Sequence, residues 1–238
     1  MVFDRATRTT FELAHYESGP DGRPVPAGLF TPQLHGSTVV WWSMTARAPV
    51  GNHPDVFLGD LKTRTVTTLL TDAEWPSLAY PFVYATTFTN FADLRTRTFI
   101  RHDISTNEET ALPLPPSRNF CFTSTFGLVV TLDNRAMLVD PAGNELTASQ
   151  SLAASGSAPF FQPSCGDRQI VWNNPVSSWL LDGTTMKLIE LARRANANLA
   201  ESAGGWVRWT EDATPSPATV DTFSAKFRFA LVDDIVPR

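Results

Sequence analysis

The amino-acid sequence predicts an all-β fold, a β-propeller of about five four-stranded blades, on three observations. An apolar strand leading to a second, aromatic-aliphatic strand recurs at intervals of roughly 40 to 55 residues. That aromatic-aliphatic strand, the third of each four-stranded unit, ends on Asp in each copy. The composition also favours strands: 18% of residues are charged and 11% aromatic, with seven Trp and sixteen Phe. Six blades, or part of a larger propeller, are the alternatives.

The elements run in order. Val39-Val40-Trp41-Trp42 follows the turn His35-Gly36-Ser37, and a polar loop is expected from Met44 to Pro54. Asp55 to Asp60 alternates as a strand, Leu61-Lys62-Thr63 turns, and Thr65 to Leu70 closes the copy. Phe82-Val83-Tyr84 leads likewise to Thr98–Asp103, Leu128-Val129-Val130 to Ala136–Asp140, and Ile170-Val171-Trp172 to Trp179–Asp182. Trp206-Val207-Arg208-Trp209 leads to Phe227–Asp233, and Met1–Asp4 opens the chain as one such strand. The closing residues read as Asp4, Asp60, Asp103, Asp140, Asp182 and Asp233. A carboxylate there accepts hydrogen bonds from backbone N–H groups about two residues on, which closes a tight turn. A second marker is the aromatic at Trp42, Tyr84, Trp172 and Trp209, expected between adjacent sheets. One such sheet exposes two apolar faces, and stacking copies around an axis hides both.

The run Ile/Val-Val-Trp, loop, aromatic-aliphatic strand, Asp-x-x-Thr and closing strand resembles the TolB-type (WD40-like) β-propeller repeat, which also occurs in the propeller domains of some peptidases. The resemblance covers most of the chain and is clearest at about 30–71 and 158–191. It implies architecture and says almost nothing of activity. Residues 1–238 are expected to form one domain, with the N-terminal strand near Thr9–Leu13 completing the C-terminal blade.

Composition excludes some functions. Net charge is −5 and the basic residues are scattered, so no nucleic-acid partner is expected. No run approaches the length of a membrane span, and the N-terminus lacks a signal-like apolar stretch. The chain as given reads as cytoplasmic and monomeric, or as periplasmic or secreted if an N-terminal segment has been removed. Cys121 and Cys165 are too few for a disulfide framework and read as buried thiols.

No nucleophile elbow, zinc motif or P-loop is present, and neither cofactor nor metal is expected. The repeated Asp residues read as structural. His102 reads as solvent-exposed on an outer strand. Three connections after the second strand, 44–54, 88–96 and 210–222, are long enough to carry a binding face. With the Trp residues outside the repeat, they give a candidate ligand-binding set: His35, Trp41, Arg47, His53, Trp75, Phe91, Trp206 and Glu211. The expected function is a non-catalytic module that binds a protein, peptide or glycan. The alternative is a lyase-type or glycosyl-hydrolase-type enzyme with its site at the channel mouth.

Overall fold

The structure is a computed structural model. It describes residues 1–4, 6–14, 30–47, 51–90, 92–114, 120–123, 127–132, 135–140, 144, 163–173, 177–185, 187–193, 200–211 and 226–236. The chain divides into two compact units, Met1–Arg118 and Asn119–Arg238.

The first unit opens with a hairpin of β1 (Val2–Asp4) and β2 (Thr9–Phe11). An antiparallel sheet follows in simple order: β3 (Phe30–His35), β4 (Thr38–Arg47), β5 (Gly51–Asp60) and β6 (Thr65–Leu70). A second sheet has the same order: β7 (Ala73–Ala79), β8 (Phe82–Phe88), β9 (Arg97–Asp103) and β10 (Glu108–Ala111).

The second unit repeats the plan. It holds β11 (Phe120–Thr123), β12 (Gly127–Leu132) and β13 (Arg135–Val139), then β14 (Ser164–Cys165), β15 (Gln169–Asn173), β16 (Ser177–Asp182) and β17 (Lys187–Arg193). The last sheet is β18 (Glu201–Ala203), β19 (Trp206–Glu211) and β20 (Lys226–Leu231), and the one-turn helix α1 (Val232–Ile235) follows it.

One bond recurs and fixes the register. The residue after the third strand donates its N–H to the turn between the first two strands. Leu61 bonds Ser37, Ile104 bonds Pro81, Gly183 bonds Arg168 and Val232 bonds Gly205, at 2.7–2.9 Å. The end of the third strand therefore pairs with Thr38, Phe82, Gln169 and Trp206 in the four sheets. Asp60, Asp103 and Asp182 hold that end, and their carboxylates accept N–H bonds from Lys62, Ser105 and Thr185 at 2.7–2.9 Å. Asp4 accepts from Ala6 at 2.9 Å and Asp140 from Asn144 at 2.8 Å. The expected sixth member is corrected: the equivalent position is Leu231, while Asp233 lies in α1 and pairs with Arg168 at 2.9 Å.

Counting along the second strand from that register settles which side chains share a face, because neighbours point to opposite faces. Even offsets face the following sheet: Val40 and Trp42 pack with Val83 and Ala85, and Val129, two beyond Gly127, packs with Ile170 and Trp172. Odd offsets face the preceding sheet, as with Val207 against Val171 and Leu180. Trp41, Trp172 and Trp209 all stand three residues beyond the pairing residue. Trp41 is thus the repeat-equivalent aromatic, and Trp42 and Tyr84 are on the other face. The equal spacing from Gly36 to Trp42 and from Gly166 to Trp172 masks a one-residue slip between the turns.

Three further expectations change. The segment from Met44 to Pro54 is mostly strand, since β4 and β5 pair from Met44↔Pro54 to Arg47↔Gly51. Pro54 is tolerated there because β6 ends its pairing with β5 at Val56↔Leu70, leaving that side open. Cys121 and Cys165 form a disulfide, with Cα atoms 5.6 Å apart. Cys121 pairs with Val129, at an even offset, and Cys165 with Ile170, at an odd one, so the two sulfurs meet between consecutive sheets.

His102 is the third change, for it is only 2% exposed. It pairs with Val83, at an odd offset, so its ring points at the preceding sheet. Neither ring nitrogen has a hydrogen-bond partner, and Glu109 stands 3.8 Å from Nδ1. Replacing His102 by Leu is expected to raise stability by about 1–2 kcal/mol in thermal unfolding, since it removes buried unsatisfied polar atoms. A lower Tm would contradict this.

The closing turns also set an acid limit. Hydrogen bonds from the Thr7 side chain hold the Asp4 carboxyl below its ordinary 3.8, those from the Lys62 backbone do so for Asp60, and those from the Ser105 side chain for Asp103. At Asp182 burial pushes upward, but bonds from Thr185 and the nearby Arg168 bring the net shift down. A carboxyl lowered in the folded state contributes stability that is present above its unfolded value and lost as pH falls through the folded one. Stability is expected to decline below about pH 4, and Asn at Asp4, Asp60 and Asp103 together should flatten that decline in acid titrations followed by circular dichroism.

Candidate functional site

Polar groups converge in the first unit where β6 hands over to β7. Asp72 sits in the intervening turn, with its carboxylate 2.7 Å from His53 Nδ1. Its N–H donates to Asp55 Oδ1 at 3.0 Å, and its carbonyl accepts from the N–H of Phe88, the last residue of β8, at 3.0 Å. Asp55 is buried, whereas His53 and Asp72 keep side-chain exposures of 22% and 35%. The imidazole is therefore oriented by a carboxylate while its ring still reaches solvent. Two residues on, Glu74 is buried and pairs with Arg97 at 3.1 Å. In this segment the Asp72 carboxylate holds the His53 imidazole, the Glu74 carboxylate the Arg97 guanidinium, and the Asp55 carboxylate the Asp72 N–H.

The backbone is strained at the same place. Five residues other than Gly have positive φ among the described residues. Arg8, Arg64 and Asn107 are each four residues beyond a closing Asp, where the turn demands the left-handed conformation. The other two are Asp72 at 50° and Trp75 at 56°, which bracket Ala73 and Glu74. A bulky aromatic there is an outlier that only surrounding packing can hold, and such residues cluster at functional sites. The Trp75 ring lies 5.5 Å from Trp42.

The sequence-predicted residues divide. His53 and Trp75 belong to this segment, and Asp55, Asp72, Glu74 and Arg97 were missed. The run Thr71-Asp72-Ala73-Glu74-Trp75 holds two acids beside an apolar inner strand, which is the signal that could have found them. Arg47 ends β4, which pairs along β5 past His53; its side chain, like that of Glu211 on β19, lies outside the described residues. Phe91 also lies outside them, as does the connection after Glu211. The rest of the β8–β9 connection is tied to itself: Ala92 N–H donates to Asn90, Arg95 N–H to Asp93, and Thr96 Oγ1 to both their carbonyls. Trp41 is buried and stacks on Phe57 at 5.8 Å, so it is a packing residue. His35 is exposed and stacks on Tyr80 at 5.1 Å. Trp206 is exposed on β19 in the second unit.

Among the described residues, no three or more His, Cys, Asp or Glu side chains are arranged to hold a metal ion, and no helix is long and apolar enough to cross a membrane. No protein-family profile and no curated protein matches the sequence. Solved structures do match in fold. The β-propeller domain of the trilobed protease from Pyrococcus furiosus matches with a TM-score of 0.57 at 11% identity, over 89% of this chain and 72% of that one. Acylaminoacyl peptidase from Pyrococcus horikoshii matches at 0.58 and 14%, over 88% and 40%. TolB from Acinetobacter baumannii matches at 0.56 and 13%, over 90% and 56%. The chain thus spans well under two thirds of the latter two. With its antiparallel sheets in simple strand order, it is a β-propeller protein, similar in fold to TolB and to peptidase propellers.

Proposed function

We propose that the chain is a non-catalytic propeller module that binds a protein, peptide or glycan at the end of the first unit formed by the β4–β5 hairpin, Asp72–Trp75 and the β8–β9 connection. The observation that carries this reading is the pair of strained residues, Asp72 and Trp75, set around a half-exposed His53–Asp72 pair. Strain of this kind costs on the order of 1–3 kcal/mol per residue, and Trp75, unlike the turn residues Arg8, Arg64 and Asn107, carries it inside a strand, where the register of β7 with β8 shifts. Arg47 and Phe91 are assigned to the same surface from their places in the chain. The reading is tested by screening the intact protein on peptide and glycan arrays, then measuring the best ligand against variants. His53→Ala, Arg47→Ala and Phe91→Ala are expected to weaken binding tenfold or more for at least the first. Unchanged affinity in all three would overturn the reading.

A second reading rests on the same pair. An imidazole oriented by a carboxylate is what a general base requires, which supports an enzyme whose reacting group lies beside His53. Turnover of an arrayed ligand, lost in His53→Ala and reduced in Asp72→Asn, would favour it over binding alone.

The Cys121–Cys165 bridge supports an oxidising compartment for the folded chain, as such bonds persist outside the reducing cytosol.

A further inference from the structure

The strained segment Asp72–Trp75 is fixed at its start, where Asp72 reaches Asp55 through its N–H, Phe88 through its carbonyl and His53 through its carboxylate. Its far end is held by the side chain of Gln33 on β3. The pairing of β7 with β8 runs from Glu74↔Thr86 to Ser77↔Tyr84, so Trp75 and Pro76 together stand opposite Ala85 alone. Two residues against one make a bulge, which interrupts the ladder of backbone bonds. Gln33 bonds the backbone on both sides of Ser77. Its Nε2 donates to Pro76 O at 3.1 Å, and its Oε1 accepts the N–H of Leu78 at 2.7 Å. A carboxamide offers one donor and one acceptor group side by side, as a peptide unit does, and here it stands in for a neighbouring strand.

The repeat shows what is particular about this residue. Pro32-Gln33, Pro76-Ser77 and Pro163-Ser164 occupy one place in three sheets, for Gln33 pairs with Val40, Ser77 with Tyr84 and Ser164 with Val171, each two residues beyond the start of the second strand. In the second unit Ser164 makes the corresponding link with a hydroxyl. Its Oγ accepts the N–H of Ser202 at 2.9 Å and donates to Ser202 O at 3.2 Å. Ser202 pairs with Val207 and Leu78 with Val83, so both links reach the same place in the next first strand. The serine serves one residue of a strand whose register does not shift. The longer Gln33 also serves Pro76, the residue after Trp75.

Resting on the function proposed above, we propose that Gln33 is a positioning residue for the His53 surface. Through Pro76 it holds Trp75 at its positive φ, and so keeps the Asp72 carboxylate on the His53 ring. Such a conformation at a Trp persists only while its surroundings over-determine it. Asp55 and Phe88 supply that constraint on one side of the segment, and Gln33 supplies it on the other. Gln33 bonds β7 and neither His53 nor Asp72, so it acts through the backbone between them. The aromatic run beside it has the same direction: Phe30 of β3 stacks on Trp42 at 4.4 Å, and Trp42 lies against Trp75 at 5.5 Å.

The test uses the intact protein carrying fluorotryptophan and nitrogen-labelled histidine, with the Trp75 and His53 signals assigned from Trp75→Phe and His53→Ala. At about pH 8, where an ordinary imidazole is neutral, the parent His53 ring is expected as one tautomer, with its proton on the Nδ1 that Asp72 engages. Gln33→Met keeps the length and loses both bonds. It should shift the Trp75 signal, mix the His53 tautomers and quicken Leu78 amide exchange tenfold or more. Gln33→Glu keeps the acceptor for Leu78 and loses the donor to Pro76, so Leu78 should stay slow while Trp75 and His53 still change. Gln33 is only partly buried, and both variants are expected to fold. Ser164→Ala removes the corresponding link in the second unit and should alter neither signal. On the peptide and glycan arrays Gln33→Glu should lose the signals that His53→Ala loses. Unchanged Trp75 and His53 signals in both Gln33 variants overturn the proposal, as does an equal change in Ser164→Ala or full retention of the array signals by Gln33→Glu. If the parent binds nothing on the arrays, the binding reading falls, and the two spectra still decide for or against Gln33.

Discussion

Replacing Cys121 and Cys165 together by alanine is expected to lower stability by about 4 kcal/mol. The bridge closes a loop with a sequence separation of 44, and loops of that length fall between the roughly 3 kcal/mol of a short bridge and the nearly 5 of a long one. Both residues lie on the first strands of consecutive sheets, so the bond joins two sheets that otherwise meet through side chains. Cys121, Val129, Ile170, Trp172 and Leu181 form one buried cluster around it. The second unit should lose most. Urea unfolding of the double variant, followed by Trp fluorescence, gives the number, and reduction of the unaltered protein should reproduce it. A loss below about 1 kcal/mol would mean that the cluster alone holds the two sheets.

Glu74→Ala is the second large effect. Glu74 and Arg97 pair with side-chain exposures of 2% and 6%. Removing one partner of a buried pair leaves the other charge uncompensated, at about 3–5 kcal/mol. Glu74→Gln keeps an acceptor and should lose distinctly less. Because Glu74 lies between Asp72 and Trp75, its loss is also expected to relax the strained turn. Amide exchange at Ala73 and Phe88 should then quicken before global unfolding. If Glu74→Ala unfolds at the same urea concentration as the parent, the pair has no structural weight, and the strain would have to be held without it.

Much of the fold was legible because its repeat is written in strand ends. Asp60, Asp103 and Asp182 mark positions where only a short side chain with an acceptor closes the turn, and such chemistry survives in sequence. The aromatic marker was read one residue off, since Trp41 and Trp42 are adjacent and turn lengths differ by one between copies. That slip moves a side chain across the sheet. The bridge went unread for another reason: two cysteines are too few to suggest a framework, and Cys121 and Cys165 face each other only once the register is known. His102 was read as exposed from its place on an outer strand, which does not say which face its ring takes. Asp233 was misassigned because α1 follows two residues after the true closing position, Leu231.

The candidate site was half legible. His53 stood out as a histidine in a long connection, and Trp75 as a Trp outside the repeat. Asp72 and Glu74 did not, because an acid in a turn is ordinary and positive φ at Asp72 and Trp75 leaves no mark in the sequence. The partner of His53 is nineteen residues away and reaches it only through the pairing of β5 with β6.

The register rests on one repeated bond, from the residue after the third strand to the turn between the first two. Hydrogen exchange at Leu61, Ile104, Gly183 and Val232 tests it most directly. Three of these amides sit in turns and the fourth, of Val232, opens α1, and each is predicted to exchange as slowly as the strand amides beside it. Exchange at the rate of free turn amides in two or more of them would contradict the shared register, and with it the assignment of every face described above.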